Sequence, residues 1–310
     1  MSFLVVGLNP VIQRTLRVSS FESGSASEIT LNRTDVAGQG ANTTRILSQL
    51  GEHALNLCQL GEHDADLFIS LTESEGIQLE WIPAPGGVRN CHTILDSSSG
   101  SITELVEEGV PVTREVEHRI MERFLELLPD FEWVAVTGSK APGFSDEVLP
   151  YLVREARKAG KKVGLDIRGE DLRRALKHEP KLVKINVPEF LATVAPGTKG
   201  SEQGLTERQR EVVEHNLKRL TRESSTVIAL SHGKNPSFLA ARGEISYVEP
   251  PLITPVNTIG CGDAVMAGML AGLHEGMSNE EALAHGHECA ATNARLLKPG
   301  SLFEGEGVSM

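Results

Sequence analysis

Five short apolar runs recur along the chain. "FLVVGL" (residues 3–8), "WVAVTG" (133–138), "KVGLDI" (162–167), "LVKIN" (182–186) and "TVIALS" (226–231) are continuous rather than alternating, the pattern of strands buried on both faces. Amphipathic stretches at residues 114–128, 146–159, 207–222 and 279–297 carry helical spacing. Ser278 with Glu281 predicts a capping box at the start of the last of these, and Thr206 with Gln209 predicts a second. Strands alternating with helices predict an α/β fold, a mostly parallel sheet with helices on both faces. Two regions depart from this rhythm. Residues 14–36 and 89–106 alternate apolar and polar positions ("RTLRV", "CHTILD", "SITELV"), predicting short antiparallel strands with one exposed face, able to pair as a small sheet or lid. "APGTKGSEQG" (195–204) predicts a surface loop, and "SHGKNPSFLA" (231–240) a strand, a glycine turn and a second strand.

Composition narrows the function classes. The 310 residues are 40% hydrophobic and 23% charged, a globular balance with room for a large core. The net charge of −12 opposes a nucleic-acid or anionic-membrane partner, which would want a basic face. It does not oppose an anionic small molecule held by backbone N–H groups. No apolar run reaches the ~20 residues of a membrane-spanning helix. The four cysteines, Cys58, Cys91, Cys261 and Cys289, form neither a CxxC pair nor a zinc pattern, and no secretory pattern opens the sequence. A reducing cytoplasm is the expected compartment.

Ligands of open α/β sheets gather at the carboxyl ends of strands. Asn9, Gly138, Ser139, Asp166, Asn186, Ser231, His232 and Gly233 leave these strands, and all are small or polar. "NTIGCGDAVMAG" (257–268) places Gly260, Cys261, Gly262 and Asp263 where a loop enters a helix. Such a terminus attracts an anion through its free N–H groups and the helix dipole, and the dipole would keep Asp263 ionised. A carboxylate beside a phosphate-binding turn suits deprotonation of an attacking hydroxyl, and a simple capped helix is the alternative. In "VAGQGANTTRILSQLG", Gly38 and Gly40 open a helix without the third glycine of a dinucleotide fingerprint, and Asn42 stands one turn in. "KINVPE" sets Asn186 and Glu189 just past a strand, hard oxygen donors that suit Mg²⁺ directly or through water, or a helix cap with a first-turn glutamate. His285 and His287, two apart on a helix, face different ways and do not form a metal pair. P-loop, HExxH, G-x-S-x-G and kinase-type H-R-D motifs do not occur.

These blocks together resemble the PfkB (ribokinase-like) carbohydrate kinases, in the branch of 1-phosphofructokinases and tagatose-6-phosphate kinases. "LNPVIQRTLRV" is similar to LNPAIDRT, "AGQGANTTRILSQLG" to GGKGINVARVLKRLG, "TGSKAPG" to SGSLPPG, "KINVPE" to KPNxxE, and "VNTIGCGDAVMAGMLAGL" to VNTVGAGDAMVAGFLAGL, in order and at family spacing. The resemblance implies a three-layer α/β/α core of residues 1–12, 37–88 and 107–310 that binds nucleotide. It implies a small β lid of residues 13–36 and 89–106 over the acceptor, through which two chains pair as a homodimer. It implies ATP and Mg²⁺ as cofactors, a sugar or sugar phosphate as partner, and phosphoryl transfer to a hydroxyl, with fructose 1-phosphate or a related ketohexose phosphate as first expectation. By the same resemblance Asp263 is the base, and Gly260, Cys261 and Gly262 form the anion hole. Asn186 and Glu189 organise Mg²⁺, Ser231 and Gly233 form the nucleotide turn, and Asn293 lines the adenine pocket. Asn9, Gln13, Gly38, Gln39, Gly40, Asn42, Arg89 and Ser139 belong to the acceptor side.

The departures fall on that acceptor side. The family's aspartate is Gln13, the lysine of GGKG is Gln39, and in the block TRTNVKI the arginine survives as Arg89 while asparagine becomes Cys91 and lysine becomes Thr93. A charged contact to phosphate is worth about 1.5–3 kcal/mol, so two lost lysines weaken phosphate binding unless Arg14, Arg33 or Lys140 substitutes. A kinase for an unphosphorylated sugar or nucleoside, and a non-catalytic regulatory or binding protein on a kinase scaffold, are the alternatives. A dehydrogenase is disfavoured by the incomplete glycine pattern.

Overall fold

A computed structural model describes residues 2–304. The chain runs β1 (Phe3–Val6), β2 (Val11–Val18), β3 (Ile29–Ala37), α1 (Gln39–Gln49), β4 (Ala54–His63), α2 (Ala65–Ser74), β5 (Gln78–Gly87), β6 (Arg89–Asp96) and β7 (Ile102–Val106). It continues through α3 (Arg114–Leu127), β8 (Trp133–Thr137), α4 (Val148–Lys158), β9 (Lys162–Asp166), α5 (Gly169–Ala175), β10 (Leu182–Asn186) and α6 (Val187–Val194). The last elements are α7 (Glu207–Thr221), β11 (Val227–Ser231), β12 (Ser237–Ala241), β13 (Glu244–Val248), α8 (Cys261–His274) and α9 (Asn279–Ala294).

The central sheet has nine strands in the order β13-β12-β11-β10-β9-β8-β1-β4-β5. All pairings from β5 to β11 are parallel, and β12 and β13 close one edge antiparallel. The five continuous apolar runs each contain one of the strands β1, β8, β9, β10 and β11. Their period of two divides the core. Leu4, Val6, Val134 and Val136 pack with α3, α4, α6 and α7. Phe3, Val5, Trp133 and Ala135 pack with α1, α8 and α9 on the other face. Helix α8 is apolar nearly all round because it lies between the sheet and α9. Both expected capping boxes are present. No helix among the described residues is long and apolar enough to cross a membrane.

The two alternating regions form a second, four-stranded sheet in the order β3-β2-β6-β7. β2–β3 and β6–β7 pair antiparallel, while β2 and β6 run parallel at the middle. That parallel pair follows from the chain path: β2 follows β1, and β6 follows β5, both parallel strands of the central sheet. The outer strand β7 is largely exposed, with Leu105 and Val106 open to solvent.

Candidate active site

The carboxyl ends of the parallel strands carry two adjoining clefts. The first is lined by residues that include Asn9, Gly38, Gln39, Gly40, Arg89 and Ser139. The second includes Gln39, Ser139, Lys140, Asp166, Asp171 and Glu189. Gln39, Gly138 and Ser139 belong to both and mark the junction. Asn9 donates to Ser139 Oγ at 3.0 Å, tying the end of β1 to the end of β8.

Behind this junction lies the N-terminus of α8. Gly260 caps the helix at φ 81°, a left-handed conformation that favours glycine. A Cβ there would also stand 2.3 Å from the backbone nitrogen of Gly300, so the turn and the 299–300 segment meet backbone to backbone. Asp263 follows in the first turn and is buried. Asn42 Nδ2 donates to its Oδ2 at 2.7 Å. Burial pushes the Asp263 carboxyl above the usual carboxylate range; hydrogen bonds from Asn42 and, more weakly, Gln39, with the Lys184 charge, oppose it. The helix dipole alone implied the opposite direction. Desolvation exceeds it because the carboxylate is buried and lines neither cleft. A carboxylate with raised proton affinity is suited to accept a proton.

The sheet side of the turn holds a residue that the motif pattern did not single out. Lys184, on β10, is buried and pairs with Asp166 Oδ2 at 3.0 Å. Any side chain at Gly262 would come within 2.8 Å of its Nζ, so the ammonium lies against the Gly260–Gly262 turn. Burial works against its charge, but Asp166, Asp263 and Glu189 outweigh burial and hold its pKa above the ordinary value. Burial in turn pushes Asp166 up to about 6 despite the neighbouring ammonium. Asp166, Asp263 and Glu189 thus all act on this one buried cation, and Glu189 has a second cation in Arg168. The available signal was a lysine inside an otherwise apolar strand, which is rarely buried without a partner.

Asn186 and Ser231 are register neighbours at the ends of β10 and β11. Asn186 Oδ1 accepts from the backbone of Glu189 at 2.8 Å, capping α6, and Glu189 accepts from Arg168 at 2.6 Å. The helix-cap alternative for Asn186 therefore describes the observed geometry. Among the described residues no three His, Cys, Asp or Glu side chains converge to hold a metal ion. The hard oxygens of Asp166 and Glu189 suit Mg²⁺ held chiefly by phosphate oxygens and water. Gly233 has φ 57° and packs against Glu202. His232 and Asn235 fasten the same turn to the 201–202 loop at 3.1 and 2.8 Å.

Three expectations change on contact with the geometry. Asn293 is fully buried and does not line an open pocket: its amide donates to Ile259 O at 2.9 Å and accepts from Ser301 N at 3.0 Å, clamping the turn before α8 from behind. Gln13 and Thr93 do not face the clefts; both are buried in the small sheet, and Gln13 Nε2 donates to Thr93 Oγ1 at 2.9 Å. Two buried polar residues on neighbouring strands, offset by two positions in the register, meet each other, so neither is open to a ligand. Arg33 cannot replace a lost phosphate contact, because Asp35 (2.8 Å) and Glu304 (3.5 Å) hold it. Lys140 lines the second cleft, paired with Asp171 at 2.6 Å. Arg89 lines the first cleft; its Nη atoms reach backbone carbonyls at 3.3 Å and its buried Nε has no partner. Burial raises the Cys261 thiol to about 11, which keeps it protonated and unreactive.

The sheet order, the helices on both faces and the small sheet beside the strand ends define a ribokinase-like α/β protein. Residues 3–301 match the pfkB family carbohydrate kinases, and the chain belongs to that family. It is a carbohydrate kinase. It is 28% identical over 266 residues to a 1-phosphofructokinase from Rhodobacter capsulatus, covering 86% of this chain and 81% of the relative. Phosphofructokinase-2 from Escherichia coli in complex with substrates and products superposes with a TM-score of 0.85 at 21% identity, covering 95% of this chain and 93% of the other. The tetrameric inhibited form of the same enzyme gives 0.81 at 21% identity, with 94% of each chain covered.

Proposed function

We propose that the protein transfers the γ-phosphoryl group of ATP to a hydroxyl of a sugar phosphate, with Asp263 as the base. The observation that carries this reading is the placement of Asp263 in the first turn of α8, hydrogen-bonded by Asn42 and adjoining Gln39, which with Ser139 belongs to both clefts. The acceptor would occupy the cleft of Asn9, Gly38, Gly40 and Arg89, and the phosphates of ATP the cleft of Lys140, Asp166 and Glu189. As the acceptor oxygen bonds to phosphorus, its proton passes to Asp263. The bond to the bridging oxygen breaks and ADP leaves with that electron pair. Backbone N–H groups at Gly260, Gly262 and Asp263, with Lys184 behind the turn, would face the charge that develops on the transferred group. Mg²⁺ would neutralise phosphate oxygens, and the hard oxygens of Asp166 and Glu189 at the cleft would suit it. Ser231 and Gly233 would border the nucleotide, and the small sheet would act as a lid whose exposed β7 edge pairs two chains.

Fructose 1-phosphate is the first candidate acceptor, supported by the relative's name and by Arg89 in the lining of the cleft. A neutral sugar is the second reading, which Gln39 favours because it carries no charge where the family has lysine. Release of ADP, measured over a panel of sugars and sugar phosphates with and without Mg²⁺, separates them. Turnover on fructose 1-phosphate supports the first reading; turnover confined to neutral sugars supports the second and rejects the first.

A further inference from the structure

Arg45 is among the most completely buried large side chains of the protein, at 1% exposure. Its guanidinium is surrounded by oxygen. Nη1 donates to Asn42 Oδ1 at 2.9 Å and to Gly300 O at 2.9 Å, Nε pairs with Glu75 at 2.5 Å, and Nη2 donates to Val36 O. Glu75 also binds Lys298 at 2.8 Å, and Lys298 lies 4.0 Å from Asp35, the partner of Arg33. An alternating chain of buried charges therefore fixes the guanidinium from β3 and the C-terminal segment. Removing an arginine from water is costly unless its hydrogen bonds are met, and here they are.

One of those bonds leads to the reacting groups. A guanidinium has donors only, so the Asn42 amide must present its oxygen to Arg45. Its nitrogen is then forced toward Asp263, where it donates to Oδ2 at 2.7 Å. Reversing the amide would set donor against donor at Arg45 and acceptor against acceptor at Asp263. We propose that Arg45 is a positioning residue that fixes the polarity of the Asn42 amide, so that Asp263 Oδ2 is permanently occupied and the acceptor's proton is taken on Oδ1. The inference rests on the reading of Asp263 as the base. The other charged groups near Asp263 are Lys184 from β10 and Asp166 from β9, and Cys261 lies on its own helix.

The test compares wild type with Arg45→Met, Arg45→Lys, Asn42→Asp and Asp263→Asn. Turnover is followed from pH 5 to 9 on whichever panel acceptor gives most ADP release, with folding checked by circular dichroism. The side-chain amide resonance of Asn42, assigned by its loss in Asn42→Ala, is followed independently of any acceptor. Arg45→Met is expected to lower turnover roughly 30–100-fold with nucleotide affinity unchanged, the cost of a misplaced reacting group. The acidic limb of its profile should rise by about one pH unit, because a donor to the ionised carboxylate is lost. Arg45→Lys, still a donor, should recover most of the activity. The Asn42 amide resonance should move in Arg45→Met. A folded Arg45→Met with the wild-type profile, or with an unmoved amide resonance, overturns the proposal. If Arg45→Met does not fold, Asn42→Asp decides: it keeps a partner for Arg45 but sets a second carboxylate against Asp263, so an unmoved acidic limb overturns the proposal. Retained turnover in Asp263→Asn would instead remove the base itself, a failure distinguishable from that of Arg45.

Discussion

Replacing Gly300 with alanine would drive a methyl group into the side chain that holds the candidate base. The Cβ would stand 2.2 Å from Asn42 Cγ and 2.5 Å from Asn42 Cβ, so rotating the amide does not clear it. Asn42 itself is anchored on α1, its backbone N–H bonded to Gly38 O at 2.9 Å. Gly300 also has φ 60°, which costs alanine about 1–2 kcal/mol. The displaced amide would give up its bond to the Asp263 carboxylate, worth about 1.5–3 kcal/mol. Together these predict a loss of about 3–5 kcal/mol in folding stability, read as a lower urea midpoint with an unchanged slope. ADP release should fall in the fraction that remains folded. An alanine variant with the wild-type midpoint and undiminished turnover would refute the contact between Gly300 and Asn42 as a determinant of the site.

Other consequences concern buried charge. Burial lowers the pKa of His287 from 6.5 to about 4, so the unfolded chain binds more protons between those values. Stability is then fully present above about pH 6.5 and is lost as the pH falls toward 4, by about 3 kcal/mol. His287→Leu should flatten that acid loss in urea titrations, and an unaltered slope would rule the histidine out. Gln39→Lys should lower the KM for a phosphorylated acceptor by roughly tenfold, the value of one charged contact, and an unchanged KM would place the phosphate elsewhere. Thr93→Lys, by contrast, should only destabilise, because it buries an ammonium beside Gln13. A gain in sugar-phosphate use from Thr93→Lys would contradict the buried placement.

Much of the scaffold was legible because the central strands are buried on both faces. An uninterrupted run such as "WVAVTG" leaves no polar alternative, and the two capping boxes mark helix starts by chemistry. Strands β4 and β5 escaped the pattern. Asn56 and Gln59 point inward on β4, while Pro83 and Pro85 interrupt β5, so neither period dominates. The site was legible as ordered blocks, but its electrostatics was not. Arg45 meets Glu75 and Gly300, and Lys184 meets Asp166, across separations no local window spans. For the same reason the pairing of Gln13 with Thr93 was hidden: both departed from the family pattern, and only the fold sets them against each other. The proton affinity of Asp263 also depends on its burial and on hydrogen bonds from Asn42 and Gln39, which a helix-terminus argument does not contain.

The central claim is that Asp263 takes the proton of the acceptor hydroxyl. The direct measurement is ADP release by Asp263→Asn against wild type, at saturating ATP and Mg²⁺ with the best acceptor, alongside nucleotide binding by calorimetry. The account predicts nucleotide affinity within about twofold of wild type and turnover lower by roughly 10²–10⁴. Turnover near the wild-type rate, with nucleotide still bound, would contradict it.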